Sequence, residues 1–146
     1  ADDGVLSLAE AVPRHTQRLY ALLDGVGDDV LMGKLAAAED AIYENAADPM
    51  TNWGEGDLSS WAEAAGLVDV DVRTDVRPLQ QPITEDGIGR WFSVRPAGAR
   101  PSYLQHLSAQ LTSDEVECVR RQFVGQLRGR VVEWQSTVAF LTAKSR

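Results

Sequence analysis

"GLVDVDVRTDV", residues 66–76, alternates with a period of two. Successive side chains of an extended chain point to opposite faces, so Val68, Val70, Val72 and Val76 share one side and Asp69, Asp71, Arg73 and Asp75 the other. One face is therefore expected against a core and the other in water. That suits an antiparallel or border strand, not a parallel strand covered by helices on both faces. The segment follows "DLSSWAEAAG", which reads as a short helix with Asp57 as its N-cap and Gly66 as the left-handed residue that closes it. Where this half-wet strand sits in its sheet decides the fold.

Working outward, two more segments read as strands. "GVLSLAEAV", residues 4–12, is a short apolar run predicted to be buried, with Glu10 near its C-terminal end. "RVVEWQSTVAFLTAKSR" at the other end is β-branched and aromatic. Val132, Trp134, Val138 and Phe140 lie on one side and Val131, Ala139 and Leu141 on the other, which predicts a strand covered on both faces. Helices are expected between them. Pro13 opens one with Leu19, Leu22 and Leu23 as its stripe and Gly25 as its stop. A second, capped by Asp28 or Asp29, carries Leu31, Leu35, Ala38 and Ile42 at helical spacing. In the Pro- and Gly-rich stretch 77–101 one short helix is expected around 84–92 with Thr84 as cap, followed by another with Tyr103, Leu104, Leu107 and Leu111 on one face. The clearest helix is "TSDEVECVRRQFVGQLRG". Thr112 and Glu115 have capping-box spacing, Val116, Val119, Phe123 and Leu127 form the stripe, and Gly129 ends it. The fold class is α/β: a small mixed three-stranded sheet with about five helices in a single domain, residues 1–146.

The balance of 14 Lys and Arg against 22 Asp and Glu, a net charge of -8, argues against direct nucleic-acid binding, which rests on clustered cations. The only basic doublet is Arg120 and Arg121. No run approaches the length of a membrane span, so no membrane association is expected. Cys118 is the sole cysteine, which excludes an internal disulfide and suits a reducing cytoplasm. The opening "ADDGVLSL" lacks Met, and the chain is expected to be an excised piece of something longer.

The order of these segments resembles the C-terminal part of a class I S-adenosylmethionine-dependent methyltransferase. In that family strand five follows a "pGG"-like turn, here "ADDG". Strand six follows an "aGF"-like turn, here Ala65, Gly66 and Leu67. Strand seven runs antiparallel and finishes in "a.K"-like residues, here Ala143 and Lys144. "AEDAIYENAADPMTNWGEGDL" further resembles the methyltransferase-like region fused behind a recombination-factor AAA+ ATPase. The resemblance implies the sheet order 5-7-6, with the last strand antiparallel and central and the alternating strand at a border. It also implies S-adenosylmethionine as the cofactor of the parent protein. No cofactor is expected in this piece, because the glycine-rich turn after strand one has no counterpart: "GVG" at 25–27 joins two helices, and "EDGIGRWF" follows no convincing strand. The resemblance also implies a fused ATPase domain as a neighbour.

The resemblance points to Glu10, Arg14, Tyr43, Asn52 and Trp53 as the residues lining an acceptor-substrate surface; no catalytic residue is assigned. His15 and His106 read as helix-surface residues and Cys118 as a small half-buried hydrophobe. Trp53 and Trp91 stand in Gly-rich surroundings, where aromatics line pockets or interfaces. A second function class is a non-catalytic assembly module, in which the unpaired border of the first strand makes a homodimer or docks a partner.

Overall fold

The computed structural model describes residues 4–145. Three strands are present: β1 (Val5–Ala11), β2 (Val68–Pro82) and β3 (Val131–Lys144). They form one antiparallel sheet in the order β1-β3-β2, so the last strand is the central one. β1 pairs with β3 in a register that sets Val5 opposite Lys144, Leu8 opposite Leu141 and Ala11 opposite Val138. Five α-helices accompany them: α1 (Asp29–Glu44), α2 (Glu55–Ala64), α3 (Glu85–Trp91), α4 (Tyr103–Leu107) and α5 (Ser113–Leu127). The expected class, central final strand and border position of β2 all hold. The "ADDG" turn falls on residues 1–4 and lies largely outside the described residues.

The chain divides into two compact units. One comprises Ala1–Gln17, Tyr43–Leu79 and Gln135–Arg146, the other Arg18–Ile42 and Gln80–Trp134. In the first, Ala139, Leu141 and Ala143 of β3 are buried with Val12 and with Leu58 and Ala62 of α2, and Leu8, Leu67, Val70 and Val72 pack around them. In the second, α5 supplies Val116, Val119, Phe123 and Leu127 to a core shared with Leu35, Ala38, Ile88 and Leu107. Phe123 is completely buried, with Trp91, Phe92 and Tyr103 around its ring at centroid distances of 5.9, 5.6 and 6.0 Å. The α5 capping box forms as expected. Thr112 Oγ1 accepts from the Glu115 amide at 3.3 Å, and Glu115 Oε2 accepts from the Thr112 amide at 2.8 Å. Asp28 caps α1 through the Leu31 amide at 2.7 Å, and Thr84 caps α3 through the Gly87 amide at 3.0 Å.

Several expectations need correction. The helix predicted from Pro13 is two 3-10 turns, Pro13–His15 and Tyr20–Leu22, with Thr16 extended at ψ 136° between them. Backbone amides that an α-helix would satisfy internally are taken by side chains. Glu39 accepts from Leu19 and Tyr20, so the leucine stripe is buried without the helix that would explain its spacing. The N-cap of α2 is Gly54, not Asp57. Asp57 is the third helical residue and its carboxylate accepts from the Gly54 amide at 2.9 Å, so the cap lies three residues earlier than expected. Gly66 does take the left-handed conformation, at φ +83°.

The strands also differ from expectation. β1 is exposed along nearly its whole length: it pairs only with β3, and Leu8 alone is half-buried, packed on the core of Ala139 and Leu141. β2 alternates as predicted only as far as Arg73. Val76 is 56% exposed, and the strand runs on to Pro82 with water on both faces. Pro78 and Pro82 are tolerated there because a border strand has an edge that needs no donors. The segment "EDGIGRWF" therefore does follow a strand, although its glycines lie inside α3. β3 is not covered on both faces throughout. Val132 and Trp134 pack on the core containing Phe123, and Thr137, Ala139, Leu141 and Ala143 are buried in the other unit. Its two-sided apolar pattern reflects service to two cores in succession.

Candidate functional site

Of the five residues expected to line a surface, Arg14, Asn52 and Trp53 come together. Pro13 sets the chain into a 3-10 turn directly after β1, which carries Arg14 toward the loop before α2. Its backbone amide donates to the Trp53 carbonyl at 3.4 Å. The guanidinium donates to Asn52 Oδ1 through Nε at 3.2 Å and Nη2 at 3.0 Å, and to the Asn52 carbonyl at 3.4 Å. Nη1 donates to Asp57 Oδ2 at 2.9 Å, the same oxygen that receives the Gly54 amide. A planar fork of fixed donors suits this multidentate capture, which a lysine cannot reproduce.

Asn52 extends the network by donating from Nδ2 to the Glu44 carbonyl at 3.4 Å, at the end of α1 and one residue beyond half-buried Tyr43. Next to Arg14, His15 Nε2 stands 3.6 Å from Glu55 Oε2, with both side chains nearly half exposed. Trp53 packs into the core of this unit and meets Trp61 at a centroid distance of 6.1 Å. Glu10 takes no part in the network. It faces water opposite Ala139 in the β1–β3 ladder.

The Arg14 fork is thus occupied by in-chain acceptors. The cluster clamps the end of β1 to the N-terminus of α2 and presents a fixed polar surface with Asn52 and Trp53. The local sequence around Asp57 carries the signature of a helix cap alone. Its second role toward Arg14 has no local signature, since the two are 43 residues apart.

The other polar centre is Glu39, which no local sequence signal marks. It is 1% exposed on α1. Its carboxylate accepts from the Leu19 amide at 2.5 Å, the Tyr20 amide at 3.0 Å and the Tyr103 hydroxyl at 2.9 Å. Burial pushes its pKa above the usual carboxylate range, against the pull of these three donors. Burial, reinforced by neighbouring Asp40 and Glu39, likewise raises the Tyr20 hydroxyl. This is a scaffold carboxylate that replaces the missing helical hydrogen bonds of residues 19 and 20. Arg18 lies alongside, its Nε 2.7 Å from Asp40 Oδ1.

Cys118 is a half-buried free thiol. Among the described residues no group of three His, Cys, Asp or Glu is arranged to hold a metal ion, and no helix is long and apolar enough to cross a membrane. No protein-family model, curated protein or solved structure matches this chain.

Proposed function

We propose that this chain is the acceptor-side portion of a class I methyltransferase-like sheet, with S-adenosylmethionine held by further strands that pair along β1. The observation that carries this reading is the contrast between the two borders of the sheet. β2 has the features that discourage stray pairing: the charged row Asp69, Asp71, Arg73, Asp75 and Arg77, and prolines at 78 and 82. β1 has almost none of them. Its one charge is Glu10, and Val5 and Leu6 are 69% and 43% exposed. A strand of this composition suits a position with neighbours on both sides. The order β1-β3-β2, with the final strand central, is the order the tail of such a sheet would take. Arg14, Asn52 and Trp53, flanked by Glu10 and Tyr43, then serve as the acceptor surface. Methyl transfer is an in-line displacement to which a protein contributes mainly positioning, a task suited to a locked arginine cluster. A reducing cytoplasm is the setting proposed with it, since Cys118 is the only thiol.

The test is calorimetric titration with S-adenosylmethionine of this chain and of a longer natural protein that contains it. Binding only by the longer protein is expected. Micromolar binding by this chain alone, or none by the longer protein, overturns the reading.

The same open border favours one alternative, a non-catalytic module in which β1 pairs with β1 of a second copy. It would serve assembly or docking in a recombination- or replication-associated AAA+ ATPase. Sedimentation equilibrium separates the two. A dimer abolished by Leu6→Lys supports the module, and a monomer at all concentrations removes it.

A further inference from the structure

The second unit contains an open cleft that the acceptor surface does not use. It has a volume of about 560 Å³ and lies where the end of β2, the start of α3 and Trp134 of β3 meet. Small-molecule sites are typically roughly 300–1,000 Å³, apolar for the most part, with a few fixed polar groups. Two indoles, Trp91 and Trp134, supply the apolar wall, and both are half-buried. Trp91 is held edge-on against Phe123 at 5.9 Å and an interplanar angle of 72°. The floor is also braced. Ile83 is buried, its amide donates to the Arg130 carbonyl at 2.8 Å, and its carbonyl accepts from the Gly129 amide at 2.8 Å.

The polar element is Arg90. Among the described residues its guanidinium has no ion pair or hydrogen bond, in contrast to Arg14, Arg18 and Arg128. It lies along the cleft wall: a Cβ built on Gly87 would stand 3.9 Å from Arg90 Nη2 and 3.1 Å from Thr84 Oγ1. Of the nearby acids on α3, Glu85 is engaged by Arg128 at 3.6 Å, and Asp86 is the next residue. An unengaged guanidinium beside two braced indoles in a cleft of this size is a recognition arrangement. The fork accepts a carboxylate or phosphate in two-point fashion, and an indole face accepts a planar ring.

We propose that this cleft binds a small planar aromatic molecule carrying an oxyanion, with Arg90 on the anionic group and Trp91 and Trp134 against the ring. The inference stands independently of the methyltransferase reading, since none of its residues belongs to the Arg14 cluster.

The test follows the four indole N–H signals of the chain by heteronuclear NMR, assigned with single Trp→Phe variants. The probes are 1-naphthoate, adenosine 5′-monophosphate, adenosine and inorganic phosphate. Saturable shifts at Trp91 and Trp134, with Trp53 and Trp61 unmoved, are expected for 1-naphthoate or adenosine monophosphate. The stronger of the two identifies the oxyanion as carboxylate or phosphate. Arg90→Gln should weaken that binding by about tenfold or more, in line with loss of a charge-assisted pair. Gly87→Ala, which narrows the wall, is a second probe expected to weaken it. No saturable shift at Trp91 or Trp134 with either anion, adenosine binding as tightly as the stronger of the two anions, or unchanged binding by Arg90→Gln would each overturn the proposal.

Discussion

Removing the Glu39 side chain should be among the most damaging single changes in the second unit. The Leu19 amide is buried and keeps no acceptor in Glu39→Ala. The Tyr20 amide and the Tyr103 hydroxyl are part-buried and regain water only in part. A buried donor left without a partner costs about 1–3 kcal/mol. Counting the first fully and the other two at about half gives roughly 2–6 kcal/mol. That is a large share of the ~5–15 kcal/mol that holds a typical domain folded. Glu39→Gln keeps one acceptor but turns an NH₂ toward a donor, and should lose roughly 1–3 kcal/mol.

The pH dependence carries an independent sign. The folded pKa is raised above the ordinary 4.5, so the unfolded chain releases this proton first. The stability contributed by Glu39 is then fully present below pH 4.5 and is lost as pH rises through the higher folded value. Glu39→Gln has no such proton, so the stability of the parent chain minus that of the variant should fall over that window. Urea denaturation followed by circular dichroism and tryptophan fluorescence at several pH values measures both effects. A Glu39→Ala loss below ~1 kcal/mol, or a difference that grows with pH, would refute the scaffold role.

Other perturbations separate local from tertiary causes. Phe123→Ala should cost about 3–5 kcal/mol in urea denaturation, because the ring is fully buried and three aromatic neighbours close on it. Gly66→Ala places a Cβ at φ +83° and should lose about 1–2 kcal/mol without a steric clash, since nothing stands within 4 Å of that Cβ. Arg14→Lys keeps the charge but loses the fork. Faster hydrogen exchange at the Arg14 and Gly54 amides is expected, with exchange at α5 unchanged. Equal protection in both proteins would show that the guanidinium does not clamp this loop.

What the sequence determined by itself was whatever neighbouring residues decide among themselves. The capping box and i, i+3, i+7, i+11 stripe of α5, the cap of α3 at Thr84, the left-handed Gly66 and the alternation from Val68 to Arg73 all arise within a few residues. These were legible because a cap or a periodic stripe is satisfied by its own segment. The half-wet alternation of β2 also suited its border position, whereas the central place of β3 was implied by the family resemblance and not by its side-chain pattern.

The tertiary structure decided everything that depends on a distant partner. Residues 13–25 carry a helical pattern, yet a carboxylate about twenty positions away captures the amides of Leu19 and Tyr20 and holds two short turns instead. β1 reads as a buried strand, but side-chain burial depends on what packs against a strand's faces, and here only Leu8 meets the core. Val76 keeps the period of its strand but lies beyond the reach of its core. The same holds for the sites. Arg14 and Asn52 were pointed to by the family resemblance, but Asp57 completes the cluster 43 residues from Arg14, and Trp134 joins Trp91 in one cleft across a similar gap. Hydrogen-bond donors and apolar surface are satisfied by whatever the fold brings within a few ångströms, and that proximity is not written in local order.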